Sequence, residues 1–441
     1  MRWSEGAGSS GLCWWSTVIV RDEPAREPRR KAQKSFDISK WAVVAAYEKV
    51  KANAGAAGVD EVSIQRFEEN LQGNLYKLWN RMSSGTYFPP PVLAVEIPKK
   101  NGGVRTLGIP TVADRIAQTV VAMSLEPAVE PIFHPDSYGY RPGRSALDAV
   151  GVCRRRCQKT DWVIDLDIRS FFDSIDHDLL MRAVSKHTEL AWVLLYAKRW
   201  LIAPLQREDG TIVERDRGTP QGSAISPLLA NIFLHYVFDK WMAEQFPDIC
   251  FERYADDIVV HCVNKGQAKR TLAAIAERFT RCRLELHPDK TRIVYCQDEN
   301  RRGRHDHTSF DFLGYTFRRR GCRNGEGEVF DGFAPAISDT AAKEIRRRIR
   351  RWRLHWHTDL SLADLARTIN PIVRGWINYY GRFYRSQLYR SLRRINAYLV
   401  RWAQWKYKRL RHHARRAWAW LNTVHDRSPA LFAHWAIGGV N

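Results

Sequence analysis

Tyr254-Ala255-Asp256-Asp257 sets two carboxylates side by side between two runs with strand chemistry, Phe251-Glu252-Arg253 and Ile258-Val259-Val260. On a regular strand neighbouring side chains point to opposite faces, so one Asp would be driven into the core. A tight turn at the pair removes that conflict and lets both carboxylates reach one cleft. A second acidic run lies at residues 161–168. There Trp162, Ile164, Leu166 and Ile168 fall on one strand face, and Val163, Asp165 and Asp167 on the other. Such a strand packs one face on helices and offers carboxylates from the other. Asp167, Asp256 and Asp257 are hard oxygen donors that suit Mg²⁺, which takes few protein carboxylates and fills its shell with water and phosphate. Two Mg²⁺ ions would clamp the attacking and leaving oxygens of an in-line phosphoryl displacement. That chemistry needs no side-chain nucleophile, and the His and Ser residues form no local triad signature. Taken alone, an Asp-Asp pair at a hairpin is also an ordinary solvated tip.

The elements that must position these residues follow from periodicity and turn chemistry. Residues 92–97 and 104–109 predict a hairpin with a basic tip, Pro98-Lys99-Lys100-Asn101-Gly102-Gly103. A helix follows from Val112 through about Leu125, with Asp114 and Arg115 in its first turn. Arg141 and Arg144 flank a Pro-Gly turn and suit phosphate contacts, and Ser145 caps a helix from Ala146. Residues 218–223 form a turn-rich loop before another helix. Ser226 is its expected cap, Pro227 its first residue, and Leu228, Leu229, Ile232, Phe233, Tyr236 and Val237 its apolar stripe. Residues 266–282 read as a helix, and 284–286, 293–295 and 310–317 as strands. Upstream, Trp41, Val44, Ala45 and Tyr47 lie near one helical face, while Phe67, Leu71, Leu75 and Trp79 recur every four residues. The order describes an α+β domain whose sheet carries an acidic cleft on one face and helices on the other.

With 441 residues and 44% apolar content, the chain can build two or more domains. The net charge of +22 suggests a polyanionic partner, nucleic acid before membrane. Residues 341–441 hold 22 Lys/Arg against 4 Asp/Glu and eight of the 17 tryptophans, so this region carries +18 of the excess. Its sequence reads as helices. Arg346, Arg347, Arg350, Arg351 and Arg353 surround Ile345, Ile349, Trp352 and Leu354, and two further stripes run Ile372, Val373, Trp376, Ile377, Tyr380 and Leu388, Leu392, Ile395, Leu399, Trp402. Basic faces of this kind track phosphates, with a minority of the aromatics free to stack on bases. The eight cysteines form no Cys-x-x-Cys pair, which argues against a zinc finger and fits buried thiols in a reducing cytosol. No apolar run approaches the ~18 residues of a membrane span. Residues 1–34, rich in Ser, Gly, Arg and Pro, read as a disordered leader.

Taken together these residues resemble the group II intron reverse transcriptase/maturases, of the compact type without a C-terminal nuclease domain. The resemblance runs over about residues 34–441. It is loosest at Gly55-Ala56-Ala57-Gly58-Val59-Asp60. It is closer at Arg105-Thr106-Leu107-Gly108-Ile109-Pro110-Thr111, at 138–145, 167–173, 218–227 and 254–257, at Lys290-Thr291, and at Phe312-Leu313-Gly314-Tyr315. It implies a right-hand polymerase: an N-terminal extension and fingers over 35–160, a palm over 161–325, an α-helical thumb/maturase domain over 326–411, and a short, DNA-contacting C-terminal segment over 412–441. Gly375-Trp376-Ile377-Asn378-Tyr379-Tyr380-Gly381 carries the thumb likeness, and Leu431-Phe432-Ala433-His434-Trp435 the tail.

Carried over by position, the resemblance makes Asp167, Asp256 and Asp257 the catalytic metal carboxylates and the Ile168 carbonyl a backbone ligand, with Asp165 in a supporting role. Phe172 becomes the aromatic gate that excludes a ribose 2′-hydroxyl, and Phe171 a core residue. Gln221 would contact the incoming dNTP, and Arg105 and Arg115 would hold its triphosphate. The implied partners are group II intron RNA, an RNA template and a DNA primer or target, in a cytoplasmic ribonucleoprotein. Two other readings stay open: a host-co-opted relative serving defence or repair, and a splicing cofactor with a relict polymerase. A viral RNA-dependent RNA polymerase shares the acidic cleft but fits Phe172 and the basic C-terminal region poorly.

Overall fold

A computed structural model describes residues 34–98, 103–323 and 325–438. The leader up to residue 33 and residues 99–102 of the basic hairpin tip lie outside the described residues. The strands are β1 Val92–Pro98, β2 Val104–Ile109, β3 Trp162–Leu166, β4 Leu205–Gln206, β5 Ile212–Val213, β6 Phe251–Tyr254, β7 Asp257–Cys262, β8 Arg292–Tyr295, β9 Ser309–Phe312, β10 Tyr315–Arg323 and β11 Val329–Ile337. They form three sheets, ordered β2-β1-β4-β5, β6-β7-β3-β8 and β11-β10-β9.

The central sheet, β6-β7-β3-β8, is antiparallel throughout. Cross-strand partners share a face, so Ile164 lies with Val260 and Leu166 with Ile258, while Asp165 lies with Val259 and Val163 with His261. The first set joins a large core built with the helices Val112–Val129, Ala191–Ile202, Ser226–Leu234 and Lys265–Arg281. That same core takes in the helices Lys40–Asn53 and Leu71–Ser83, so the N-terminal region is continuous with the sheet. The second face departs from expectation. Only its acidic end is open, because the helix Ala146–Cys157 and the β9–β11 sheet cover the rest with Val150, Cys153, Phe310 and Phe317.

Several elements differ from the sequence reading. The helix Lys40–Asn53 buries Val43, Ala46, Tyr47 and Val50, leaving Trp41 half exposed. Leu71–Ser83 buries Leu75, Leu78 and Met82, and Phe67 belongs to the separate short helix Ile64–Glu68. Ser226 is no cap: it opens its helix without a capping bond, and its hydroxyl pairs with Thr219 Oγ1 at 2.5 Å. Residues 284–286 give only an isolated bridge, Ile168 to Leu286. The run 310–317 is two strands, β9 and β10, turned at Leu313 and Gly314, both with positive φ (50° and 78°).

A second core begins after β11, where Ser338 caps the helix Asp339–Arg351. The β10–β11 hairpin therefore straddles residue 325, and the helical unit runs from about Ser338. It packs the helices Asp339–Arg351, Leu362–Tyr380, Arg385–Leu392, Arg394–Lys406 and Ala414–Arg427 around Ile349, Ile369, Leu399 and Trp402. The stripe from Leu388 to Trp402 spans two of these helices, divided at Arg393. Phe432, His434 and Trp435 are buried in the same core. Asn370 Oδ1 accepts from Ala433 N at 2.9 Å, and Asn396 Oδ1 accepts from Trp435 Nε1 at 3.0 Å. These three aromatic side chains are packed inside the helical unit and are not part of its surface. Among the described residues no helix is long and apolar enough to cross a membrane.

Candidate active site

β6 ends at Tyr254 and β7 begins at Asp257, and these two residues pair across the hairpin, so Ala255 and Asp256 make the turn. Ala255 takes φ 56°, the left-handed conformation that lets the chain reverse within two residues. The adjacent carboxylates thereby reach one cleft of about 700 Å³, together with Asp167, Ile168, Phe172, Gln221 and Arg105. Asp167 lies just past β3. Its backbone is tied down where His287 N donates to its carbonyl at 2.8 Å.

Burial against the cleft wall raises the Asp256 pKa, and the neighbouring Asp167 charge adds to it while Arg105 opposes. Asp257 meets cleft water on one side. Crowding on its other sides, then the Asp256 and Asp167 charges, push it up to about 7. Asp165 is likewise raised to about 7, by burial first and then by Asp257 and Asp167. Carboxylates crowded until they resist ionising are a site short of positive charge. The donor set is all oxygen, as a hard divalent cation requires. Lys290 supplies one cation, with Nζ 3.1 and 3.3 Å from the two Asp167 oxygens. Asp165 and Arg292 open on the far side of Asp167, in an adjoining pocket with Asp311.

The other expected residues divide. Phe172 is 9% exposed. It lines the cleft and sits edge-on to the buried Phe171, in a short turn entered through Ser170 at φ 45°. Its carbonyl accepts from Thr219 N at 2.7 Å, and Gly218 packs so closely that a Cβ would lie 2.8 Å from that carbonyl. Gln221 is set by its own carbonyl, which accepts from Gly108 N on β2 at 2.7 Å. Its side-chain oxygen accepts from Arg105 Nε across the cleft mouth.

Arg115 does not join them. Its guanidinium donates to the carbonyls of Ala54 at 3.2 Å and Ala56 at 2.8 Å. Ala54 is the C-cap of the helix Lys40–Asn53 and Ala56 lies in the loop just beyond it, so Arg115 ties that loop to the helix it belongs to. Arg141 is likewise a buried tie rather than a phosphate contact. It pairs with Glu130 at 2.8 Å and donates to the carbonyls of His134 and Ser137.

The sequence reading missed two positioning networks. Behind the acidic turn, Arg253 is fully buried and forms a two-pronged pair with Asp239 at 2.7 and 2.6 Å. It also donates to Asn231 Oδ1 at 2.9 Å and to the Ala255 carbonyl at 3.2 Å. Asn231 Nδ2 donates to the Gly139 carbonyl at 2.7 Å. Gly139 lies so near the turn that a Cβ would be 2.4 Å from Ala255 N. Beneath the Gln221 loop, buried Gln118 accepts from Ser223 Oγ and Ala224 N and donates to Asp114. Asp114 also accepts from Tyr87 and Trp200, and burial raises its pKa to about 6. No local motif signals either network, since the partners come from segments far apart in sequence.

In the helical unit Arg347, Arg350 and Arg351 project into solvent and Arg346 is partly buried, opposite the buried Ala342, Ile345 and Ile349. Trp356 and Trp405 are more than half exposed, and the Arg353 guanidinium lies 4.4 Å over the Trp356 ring.

Residues 97–317 match the family described as reverse transcriptase (RNA-dependent DNA polymerase), and residues 342–418 match the group II intron, maturase-specific domain. Protein YkfC of Escherichia coli is 33% identical over 320 residues, covering 63% of this chain and 79% of that protein. The group II intron-encoded protein LtrA of Lactococcus lactis is 34% identical over 211 residues, 45% of this chain and 33% of LtrA, so the match spans about a third of LtrA. Among solved structures, telomerase from Candida albicans in complex with a fragment of telomeric RNA overlays with a TM-score of 0.44 and 11% identity, over 85% of this chain and 68% of that one.

Proposed function

Because this chain belongs to the reverse transcriptase family and carries the group II intron maturase-specific domain after its polymerase portion, we propose that its acidic cleft extends a DNA primer along an RNA template with dNTPs. The observation that carries this reading is the convergence of Asp167, Asp256 and Asp257, from two separate strand ends, with Phe172, Gln221 and Arg105 in one cleft. Asp167, Asp256 and Asp257, with the Ile168 carbonyl, would hold Mg²⁺, two ions on this reading. When bound, the metal neutralises phosphoryl charge and makes the primer hydroxyl easier to deprotonate.

The protein's own residues do the rest. Arg105 would release its Gln221 partner and take triphosphate oxygens in paired hydrogen bonds. Gln221 would then be free to meet the nucleotide. Phe172, which lines the cleft, would lie under the incoming sugar, where its ring would exclude a 2′-hydroxyl. Lys290 holds Asp167 in place beside the pair. The buried Arg253 keeps the Ala255–Asp256 turn from yielding as the polymer enters.

Phe172→Ala is expected to relax sugar discrimination by about 10- to 200-fold, the range for a steric discrimination worth roughly 1–3 kcal/mol. Competition between dNTP and NTP in single-nucleotide extension measures it, and unchanged selectivity would remove the gate role. The basic helical unit would bind the structured RNA of the intron and promote its splicing, within a cytoplasmic ribonucleoprotein. Charge reversal at Arg346, Arg347, Arg350 and Arg351 should weaken RNA affinity and flatten its dependence on salt, by roughly 0.7–0.9 in log–log slope for each phosphate no longer neutralised. An unchanged slope would make that helix a solvated face.

The direct test of the whole reading is extension of a DNA primer on an RNA template by the purified chain, with and without divalent metal. Failure to extend under any metal would favour a splicing cofactor.

A further inference from the structure

β7 aims Asp257, Val259 and His261 at the same face of the central sheet. Asp257 serves the cleft. His261, four residues on and about 13 Å along the strand, lies in a second cluster that primer extension does not use.

There Cys153 and Cys157, one turn apart on the helix Ala146–Cys157, meet the His261 imidazole. Their Sγ atoms are 4.0 Å apart, and the three ligand-capable atoms all lie within 4.8 Å of one another. The Cys296 thiol, just beyond β8, interacts with that of Cys157 and lies farther than 4.8 Å from at least one of the other three ligand atoms, so it would have to turn inward to complete a tetrahedral set. All four residues are buried.

Thiols alone would be unremarkable here, since free cysteine packs as a small apolar residue. The histidine is what apolar packing does not explain. Its Nε2 lies 2.6 Å from Glu252 Oε2, and Arg156 Nη1 donates to Glu252 Oε1 at 2.6 Å. Its Nδ1 lies 3.4 Å from Thr160 Oγ1, and the imidazole also interacts with the Cys157 thiol. A carboxylate behind the ring nitrogen remote from the metal is the usual support of a metal-binding histidine, because it fixes the ring and its tautomer. The spacing also suits: with Zn–S bonds of about 2.3 Å, a tetrahedral site sets two sulfurs about 3.8 Å apart.

We propose that Cys153, Cys157, Cys296 and His261 Nδ1 form a structural site for one Zn²⁺ ion. Three thiolates and an imidazole select a borderline-soft cation over Mg²⁺, and four protein ligands leave no position for substrate. The three cysteine protons, and the Nδ1 proton of the imidazole that Glu252 keeps charged in the metal-free state, leave to solvent as the metal binds. The ion would fasten the helix Ala146–Cys157 to the strand that begins at Asp257. The Cys-x-x-Cys rule could not find it, because its ligands are spread from residue 153 to 296 and gathered by the sheet.

The full chain, purified from zinc-supplemented medium and freed of loose metal on a chelating resin, is analysed for zinc by mass spectrometry. Zinc-stripped protein is then titrated with Co²⁺. The expected result is about one zinc per chain and a thiolate-to-cobalt charge-transfer band with tetrahedral d–d absorption. Both should be lost in Cys157→Ala. Should that variant fail to fold by circular dichroism, Cys296→Ala and Cys153→Ala are read in its place. Far less than one zinc in the wild-type chain with no charge-transfer band would overturn the proposal, as would an undiminished metal content in the folded cysteine variants. The readout is metal content, so it stands apart from whether the cleft polymerises DNA.

Discussion

Asp256→Ala is expected to lower primer extension on an RNA template by about a thousandfold or more while leaving RNA binding close to wild type. The size follows from what the carboxylate does. Metal stabilisation of a phosphoryl transition state is worth several kcal/mol, and each 1.36 kcal/mol is a factor of about ten in rate. Asp256 sits in the turn itself, so on the proposed assignment the deletion removes a metal-binding carboxylate and little packing. RNA binding should survive because the arginines assigned to it lie on a unit with its own core from about Ser338 onward. Single-turnover extension and an RNA filter-binding titration measure the two effects separately. Extension near the wild-type rate would sink the metal assignment, and a parallel loss of both activities would mean that the substitution had unfolded the chain. Asp256→Asn, which keeps the shape and removes the charge, should lose extension equally.

Asp239→Ala should be among the most damaging single changes to stability. It strips the carboxylate from a guanidinium with no solvent access, and an uncompensated buried charge typically costs about 3–5 kcal/mol. In a unit of roughly 300 residues that corresponds to a melting point lower by about 5–8 °C. A thermal melt followed by circular dichroism reads it. A shift of under about 2 °C would show that water reaches Arg253 and that the pair is not what holds the turn. The informative companion is the double change Asp239→Leu with Arg253→Met. Apolar replacement of a buried pair often restores stability, yet it gives nothing to replace the bonds from Arg253 to Asn231 and the Ala255 carbonyl. The double variant should therefore melt near wild type and still extend primers slowly.

Much of the site was legible in the sequence because its logic is local. The alternation over residues 162–168 has the period of a strand, so the face bearing Asp165 and Asp167 could be assigned without tertiary information. The Asp256–Asp257 pair demanded a turn for the same reason. What stayed hidden was settled by distant partners. Arg253 reads as one more charged strand residue until Asp239 and Asn231 surround it. Arg115, adjacent to the cleft in sequence terms, was claimed by the Ala54 and Ala56 carbonyls some sixty residues upstream. The stripe from Leu388 to Trp402 continued across a helix break because apolar spacing does not register a change of axis. The aromatics at 432–435 looked free until Asn370 and Asn396 took up the polar groups around them.

One contact sets terms for how this chain can vary. The acidic turn is gripped through main-chain atoms: the Gly139 α-carbon against the Ala255 amide, and the Ala255 carbonyl on Arg253. Main-chain atoms are the same whatever side chain they carry. A substitution at Tyr254 or Ala255 therefore leaves the gripped atoms themselves in place, whatever it does to the packing of those side chains. Gly139 has no such freedom, for even one added methyl group would have to occupy the space of the turn. In a randomised library selected for polymerisation, diversity should collapse at a glycine more than a hundred residues upstream of the tetrad, at a position that does no chemistry of its own.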